Sequence, residues 1–269
     1  MSSVTLTARV VPRLPFAGDR SLRLVYRNLR AARSFWLVMV SGFFEPVFYL
    51  LGLGIGVGRL VGHIDVGGHA VAYREFVAPA LLAASAMNGA VYETTGNVFY
   101  KLRWARTYEG VLATPLTVRD VAVAEVLWAL MRGSVYAAGF VVVMLALGLV
   151  ASAWAALVVP AALLIGACFA ALGLAAVSVM RSWADFAFVE LVSLPLFLFS
   201  ATFVPLERYP HAVQWALPAT PLYHGVQLVR SLTLGDVGPI LLMHVAYLLG
   251  VAALGIWFTA RRLKRQLLK

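Results

Sequence analysis

KLRWARTYEGVLATPLTVRD, residues 101–120, is a polar stretch in the middle of an otherwise oily chain. It carries four cations (Lys101, Arg103, Arg106, Arg119), two acids (Glu109, Asp120), Gly110 and Pro115. Apolar blocks of about 20 residues flank it, the length a helix needs to cross ~30 Å of hydrocarbon. The stretch therefore reads as a loop between two membrane-spanning helices. Its cations place it on the cytoplasmic side, where short loops collect Lys and Arg.

The rest of the chain agrees. Of 269 residues, 62% are hydrophobic and only 13% charged, against roughly 25% charged in a soluble domain. Strand-period alternation is absent, so the pattern predicts an all-α polytopic membrane protein and not a barrel. Hydropathy places six spans near 34–58, 75–99, 121–148, 153–180, 186–204 and 238–260. They divide the chain into an N-terminal segment (1–33), a six-helix membrane domain (34–260) and a basic tail (261–269). With a cytoplasmic N-terminus, Lys and Arg number seven before residue 34, four in 101–119, one at Arg181 and five in 261–269. The opposite side holds only Arg59, Arg74, Arg208 and Arg230, so both termini are expected inside.

The net charge of +10 gathers at the ends of apolar blocks and not on one face, which argues against nucleic acid as a partner. Cys168 is the one cysteine and lies in an apolar run, so disulfides and cysteine metal sites are excluded. The five histidines show no helical ligand spacing, and phosphate-loop, nucleophile-elbow and HExxH motifs are missing. The residues thus predict no catalytic, cofactor or metal site. The arginine-rich leader before the first block is too long for a signal peptide, which predicts a retained span.

On a helical wheel, residues 20–33 place Leu22, Val25, Tyr26 and Leu29 on one arc and Arg20, Arg23, Arg27 and Arg30 on its neighbour. That is an amphipathic helix suited to the inner membrane surface, or a plain topology signal. Residues 204–236 are broken by Pro205, Pro210, Pro218 and Pro221, which predicts two short helices near the outer leaflet, arranged as a re-entrant hairpin. Thr220 followed by Pro221 reads as an N-cap with Pro at the first helical position. Within the spans, Glu45 and Arg132 lie at equal depth and are natural partners, either on a transport path or as a structural ion pair. Glu93, Glu125 and Glu190 sit in the cytoplasmic third, where anchoring is the default. Gly166, Ala170 and Gly173 share one face of the fourth span and permit close helix approach.

The order of these parts resembles the permease subunit of ABC-2-type exporters, closest to the nodulation-factor (lipo-chitooligosaccharide) and daunorubicin-type drug exporter branch. The segments that carry the resemblance are FFEPVFYLLGLGIGVG, YREFVAPALLAASAMNGAVYET, KLRWARTYEGVLATPL, DFAFVELVSLPLFLFSATFVPLERYP and LPATPLYHGVQLVRSLTLG, in that order. The resemblance implies a multi-pass protein of the bacterial inner membrane that is not itself an enzyme. It implies export of a drug, glycolipid or lipid-linked saccharide, with ATP and Mg bound on a separate nucleotide-binding ATPase subunit. A second permease copy or paralogue would complete a dimer in the lipid bilayer.

The resemblance also implies that residues 101–115 form a coupling helix that docks on the ATPase. Arg103, Trp104, Arg106 and Glu109 would be contacts, with Tyr108, Val111 and Leu112 as apolar anchors and Gly110 and Pro115 as boundaries. Two rivals remain at this point: an ion-coupled secondary transporter or channel using Glu45 and Arg132, and a membrane scaffold without transport.

Overall fold

The computed structural model describes residues 17–32, 44, 47–66 and 68–267. The first helix, α1, runs from Ala17 to Ala32. The next, α2, covers Val47–Val61 and ends at Gly62, whose φ of 70° is open to glycine. A hairpin that hydropathy did not reveal follows: β1 (His63–Val66) pairs antiparallel with β2 (His69–Ala72). At its tip the Gly68 N–H donates to Asp65 Oδ1 at 2.9 Å.

Helix α3 begins at Tyr73 and is α-helical to Tyr92. It then passes through two wide π turns, Glu93–Asn97 and Tyr100–Trp104. The chain breaks at Arg106, held in the left-handed region (φ 46°, ψ 29°), and restarts as the short α4, Thr107–Leu112. Thr117 and Asp120 then form a reciprocal capping box: the Asp120 N–H donates to Thr117 Oγ1 at 3.2 Å, and the Thr117 N–H to Asp120 Oδ2 at 2.9 Å. That box launches α5, Val118–Ala146.

A 3₁₀ turn at Ala153–Leu157 leads into α6, Val158–Val179. Then come α7 (Phe186–Phe199), α8 (His211–Ala216), α9 (Pro221–Leu234) and α10 (Ile240–Leu267). Among the described residues, three segments are long and apolar enough to cross a membrane: Arg119–Ala146, Ala153–Val179 and Ile240–Arg262. This is a mainly helical, multi-pass membrane protein.

Helix α6 is the hub, packed against α3, α5, α9 and α10. Small residues make that possible, as expected from Gly166, Ala170 and Gly173. Ala170 is fully buried, Gly166 lies against Leu130 of α5, and a Cβ on Gly173 would collide with Thr94 Oγ1 of α3. From the far side, Gly255 of α10 comes within 3.0 Å of the Ala171 backbone, measured from the Cβ it lacks. In hydrocarbon, where apolar surface alone does not drive association, such backbone proximity supplies the packing energy.

Residues 186–234 depart in two ways from the sequence reading. The apolar run 186–204 folds as a helix of 14 residues, about 21 Å long and short of a ~30 Å core. It stops because the chain reverses at Ala201 (φ 55°), inside a turn where Ser200, Ala201 and Thr202 are all buried. Arg230 of α9, itself buried, fixes that turn by donating from Nη2 to the Ala201 carbonyl at 2.8 Å while its guanidinium lies 3.8 Å from the Phe76 ring centroid. The segment 206–234 does contain two short helices, α8 and α9, with Pro221 at the first helical position of α9. Thr220 precedes it, but its hydroxyl donates back to the Leu217 carbonyl at 2.7 Å and does not cap the helix.

Candidate functional site

Two polar clusters, one built on buried Glu125 and one partly buried, join α3 to α5. The first lies at the α3 end nearest the break. Lys101 Nζ donates to both Glu125 carboxylate oxygens at 2.9 Å, and the Tyr108 hydroxyl donates to Glu125 Oε1 at 3.0 Å. Glu125 is 3% exposed, so its charge is compensated almost wholly by these two groups. Burial, and then the Glu125 carboxylate, push the Tyr108 phenol well above its usual value, while the nearby Arg27 of α1 works in the opposite direction. Through Tyr108, α4 is fastened to α5.

The second cluster is built on the first π turn. Glu93 accepts from Arg132 Nη1, from Trp128 Nε1 at 2.8 Å and from Asn97 Nδ2 at 2.6 Å. Arg132 Nη2 donates to the Tyr136 hydroxyl at 3.1 Å. Its Nε is buried and finds no acceptor among the described residues. Glu93, Arg132 and Tyr136 line a cavity of about 230 Å³ together with Ser85, Asn88 and Tyr49. Phe140 and Phe197 add apolar wall, so polar and aromatic groups share one chamber.

Around these clusters, side chains from separate elements close the α6 C-terminus. Arg103 Nη2 donates to the Met180 carbonyl at 3.2 Å, and Arg262 Nε to the Ser178 carbonyl at 3.0 Å. Cations there complement the negative end of the helix dipole. The next turn is capped by Asp185, which accepts from the Arg181 and Ser182 N–H groups at 2.6 and 3.2 Å; those backbone donors hold its carboxyl below the usual range.

The coupling stretch departs from its expected shape. Residues 101–104 belong to α3, and only Thr107–Leu112 forms a separate helix, because Arg106 in the left-handed region cannot continue the turn. Gly110, expected as a boundary, lies inside α4. Tyr108 and Val111 are buried against their own bundle, so they hold α4 in place and are not free to anchor a partner. The outward face carries Trp104 (68% exposed), Arg106, Glu109 and Pro115, with Leu112 half-buried. Arg106 and Glu109 approach to 3.9 Å in the open, an interaction of little energetic weight.

Glu45 lies outside the described residues. Arg132, its expected partner, is engaged by Glu93. In α1, Ser21, Leu24 and Asn28 are buried, and the helix packs on α5. Leu22, Tyr26 and Leu29 stay exposed. Arg23 and Arg30 are also exposed, the latter with its guanidinium 4.8 Å from the Tyr26 ring centroid; Arg20 falls in the same helix. The apolar side chains Leu22, Tyr26 and Leu29 thus lie exposed beside Arg23 and Arg30.

A further polar contact also left no trace in the sequence. His224 of α9 and His244 of α10 meet at 2.7 Å between their Nδ1 atoms, while His224 Nε2 lies 2.8 Å from the Pro218 carbonyl. Twenty residues and a helix boundary separate them in the chain, which leaves no periodic signal to read.

The family model for the ABC-2 type transporter matches residues 21–234, from α1 to the end of α9. The chain belongs to the ABC-2 type transporter family. Among curated relatives of this ABC-2 chain, Nodulation protein J of Rhizobium leguminosarum bv. viciae is 32% identical over 96% of this chain and 99% of its own length. Nodulation protein J of Rhizobium meliloti (strain 1021) is 30% identical, covering 96% and 98%. That of R. leguminosarum bv. trifolii is 34% identical over 84% and 85%. This chain is an ABC exporter membrane subunit of the multi-pass, permease type.

Proposed function

We propose that this permease moves an amphipathic substrate (a drug, glycolipid or lipid-linked saccharide) out across the bacterial inner membrane. The energy comes from a separate ATPase subunit that holds ATP and Mg; the permease itself is non-catalytic and works as a dimer with a second copy or a paralogue. The carrying observation is the Lys101–Glu125–Tyr108 cluster. It makes α4 a rigid extension of the α3–α5 pair, and the same pair walls the chamber at Glu93 and Arg132. A push on α4 is therefore delivered to the chamber by packed helices, as a rigid-body switch requires.

On this reading, Trp104, Arg106, Glu109, Leu112 and Pro115 meet the ATPase, Arg103 braces the α6 terminus, and Tyr108 and Val111 position α4. Mixed polar and aromatic walls suit a substrate with both characters. Arg132 Nε, buried and without an acceptor among the described residues, is the donor left for a substrate group at the chamber wall. Segment 206–234 is the re-entrant element on the outer side.

Trp104→Ala combined with Arg106→Glu tests the docking face. Both side chains are exposed, so the bundle should fold normally while co-purification with the ATPase falls at least tenfold. Reconstituted vesicles should lose ATP-dependent efflux in parallel. Full ATPase binding and efflux by this variant would refute the assignment, and efflux driven by an ion gradient without ATP would favour the secondary-transporter reading.

A further inference from the structure

Helix α7 has no buried residue along its length, although nearly every position is apolar. It stands away from α6, and between them runs a groove of about 500 Å³, within the range of ligand pockets. From α6 the groove takes Phe169, Leu172, Gly173, Ala176, Val179 and Met180, a stripe at helical spacing. From α7 it takes Phe188, Val189, Val192, Ser193 and Leu196, with Asp185 at its mouth.

Three observations name the occupant. The α6 stripe from Phe169 to Met180 rises about 16 Å, which is half of the ~30 Å hydrocarbon core and so the depth of one leaflet. The wall is apolar save Ser193 and Asp185, so neither water nor a polar ligand can fill it. Cations gather at the end of α6 beside Met180, which lines the groove: Arg103 and Arg262 bond the Met180 and Ser178 carbonyls, Arg181 follows directly, and the single lining carboxylate, Asp185, is occupied by backbone N–H groups.

We propose that this groove binds one acyl chain of an anionic phospholipid from the cytoplasmic leaflet, with the headgroup held at Arg103, Arg181 and Arg262. The site is separate from the chamber at Glu93 and Arg132, and it rests on the cytoplasmic placement of the α6–α7 turn. An apolar helix with no buried residue is thereby packed by lipid, and its spacing from α6 becomes sensitive to which lipid is present.

Native mass spectrometry of the purified full chain tests this, with detergent micelles titrated with dioleoyl phosphatidylglycerol or dioleoyl phosphatidylcholine. The wild type should retain a single phosphatidylglycerol in preference to phosphatidylcholine. Ala176→Phe fills the groove from α6 and Ser193→Phe fills it from α7; each should abolish retention, and the two different helices guard against one variant misfolding. Arg181→Gln should cut the headgroup preference roughly fivefold, the effect of one surface cation.

Undiminished retention in both filled variants overturns the site, and equal retention of the two lipids overturns its headgroup assignment. A wild-type chain that binds neither lipid, while Val192→Cys cross-links between copies, assigns the groove to a second permease instead. No ATPase is present in these measurements, so failure of ATP-driven export leaves the result untouched, and the reverse holds too.

Discussion

Glu125 offers the sharpest test of how α4 is held. Replacing it with Ala removes the acceptor of Lys101, whose side chain is only 14% exposed, and of the buried Tyr108 hydroxyl. Removing one partner of a buried ion pair costs about 3–5 kcal/mol, most of it from the charge left behind. Orphaning the hydroxyl adds about 1–3 kcal/mol. Water can reach Lys101 through its exposed edge, so we expect the lower part of that sum, about 4 kcal/mol. In a chain of this size each kcal/mol moves the thermal midpoint by ~2–4 °C, giving a drop on the order of 10 °C.

The companion variant Lys101→Met/Glu125→Met removes both charges and should regain more than half of the loss, since a well-packed apolar pair can replace a buried ion pair. Thermal unfolding of the wild type, Lys101→Met, Glu125→Met and the double variant in one detergent completes the cycle. A Glu125→Ala midpoint within 1–2 °C of wild type, or a double variant as damaged as the two single losses added together, would refute the claim that this cluster secures α4.

The remaining expectations concern packing and pH. Gly173→Ala should destabilise by about 1–3 kcal/mol, because the new Cβ meets Thr94 Oγ1. Adding Thr94→Ala should recover part of this in the same unfolding assay, the Thr94 Cβ at 3.2 Å remaining close. Tyr108 has its folded pKa raised, so its contribution is complete below the unfolded value near 10 and is lost as pH rises above it. Unfolding midpoints measured from pH 9 to 11 should therefore fall more steeply for wild type than for Tyr108→Phe. Asp185 has its pKa lowered, and its cap should be present above the ordinary carboxylate range and fail as pH falls; hydrogen exchange at the start of α7 should speed up in Asp185→Asn at neutral pH.

Much of the scaffold is written in hydropathy and charge. The long apolar blocks at 121–148, 153–180 and 238–260 coincide with α5, the turn plus α6, and α10. The small-residue face of α6 also marked the helix that others approach most closely. What escaped depends on contacts between distant residues. Glu93 and Arg132 lie 39 positions apart, and their meeting depends on a π turn that no local propensity announces. The family resemblance implied Tyr108 and Val111 as a partner-facing apolar anchor, but a resemblance in sequence does not say which neighbours cover a side chain, and here both are buried. The early end of α7 rests on Arg230, a residue counted in the sequence only as a charge on the far side.

The two π turns of α3 have a geometric consequence. Glu93 and Lys101 both face α5, one against Arg132 and the other against Glu125. In an unbroken α-helix at 100° per residue, eight positions leave the second side chain turned about 80° from the first. The wider turns absorb that angle like a vernier between two scales, bringing both into line with one neighbour. Because α3 presents an acid then a base, and α5 an acid then a base running the opposite way, sliding either helix by one turn breaks both pairs together. The two helices are thus keyed like a lock with two tumblers, able to tilt or travel as one body but not to slip past each other.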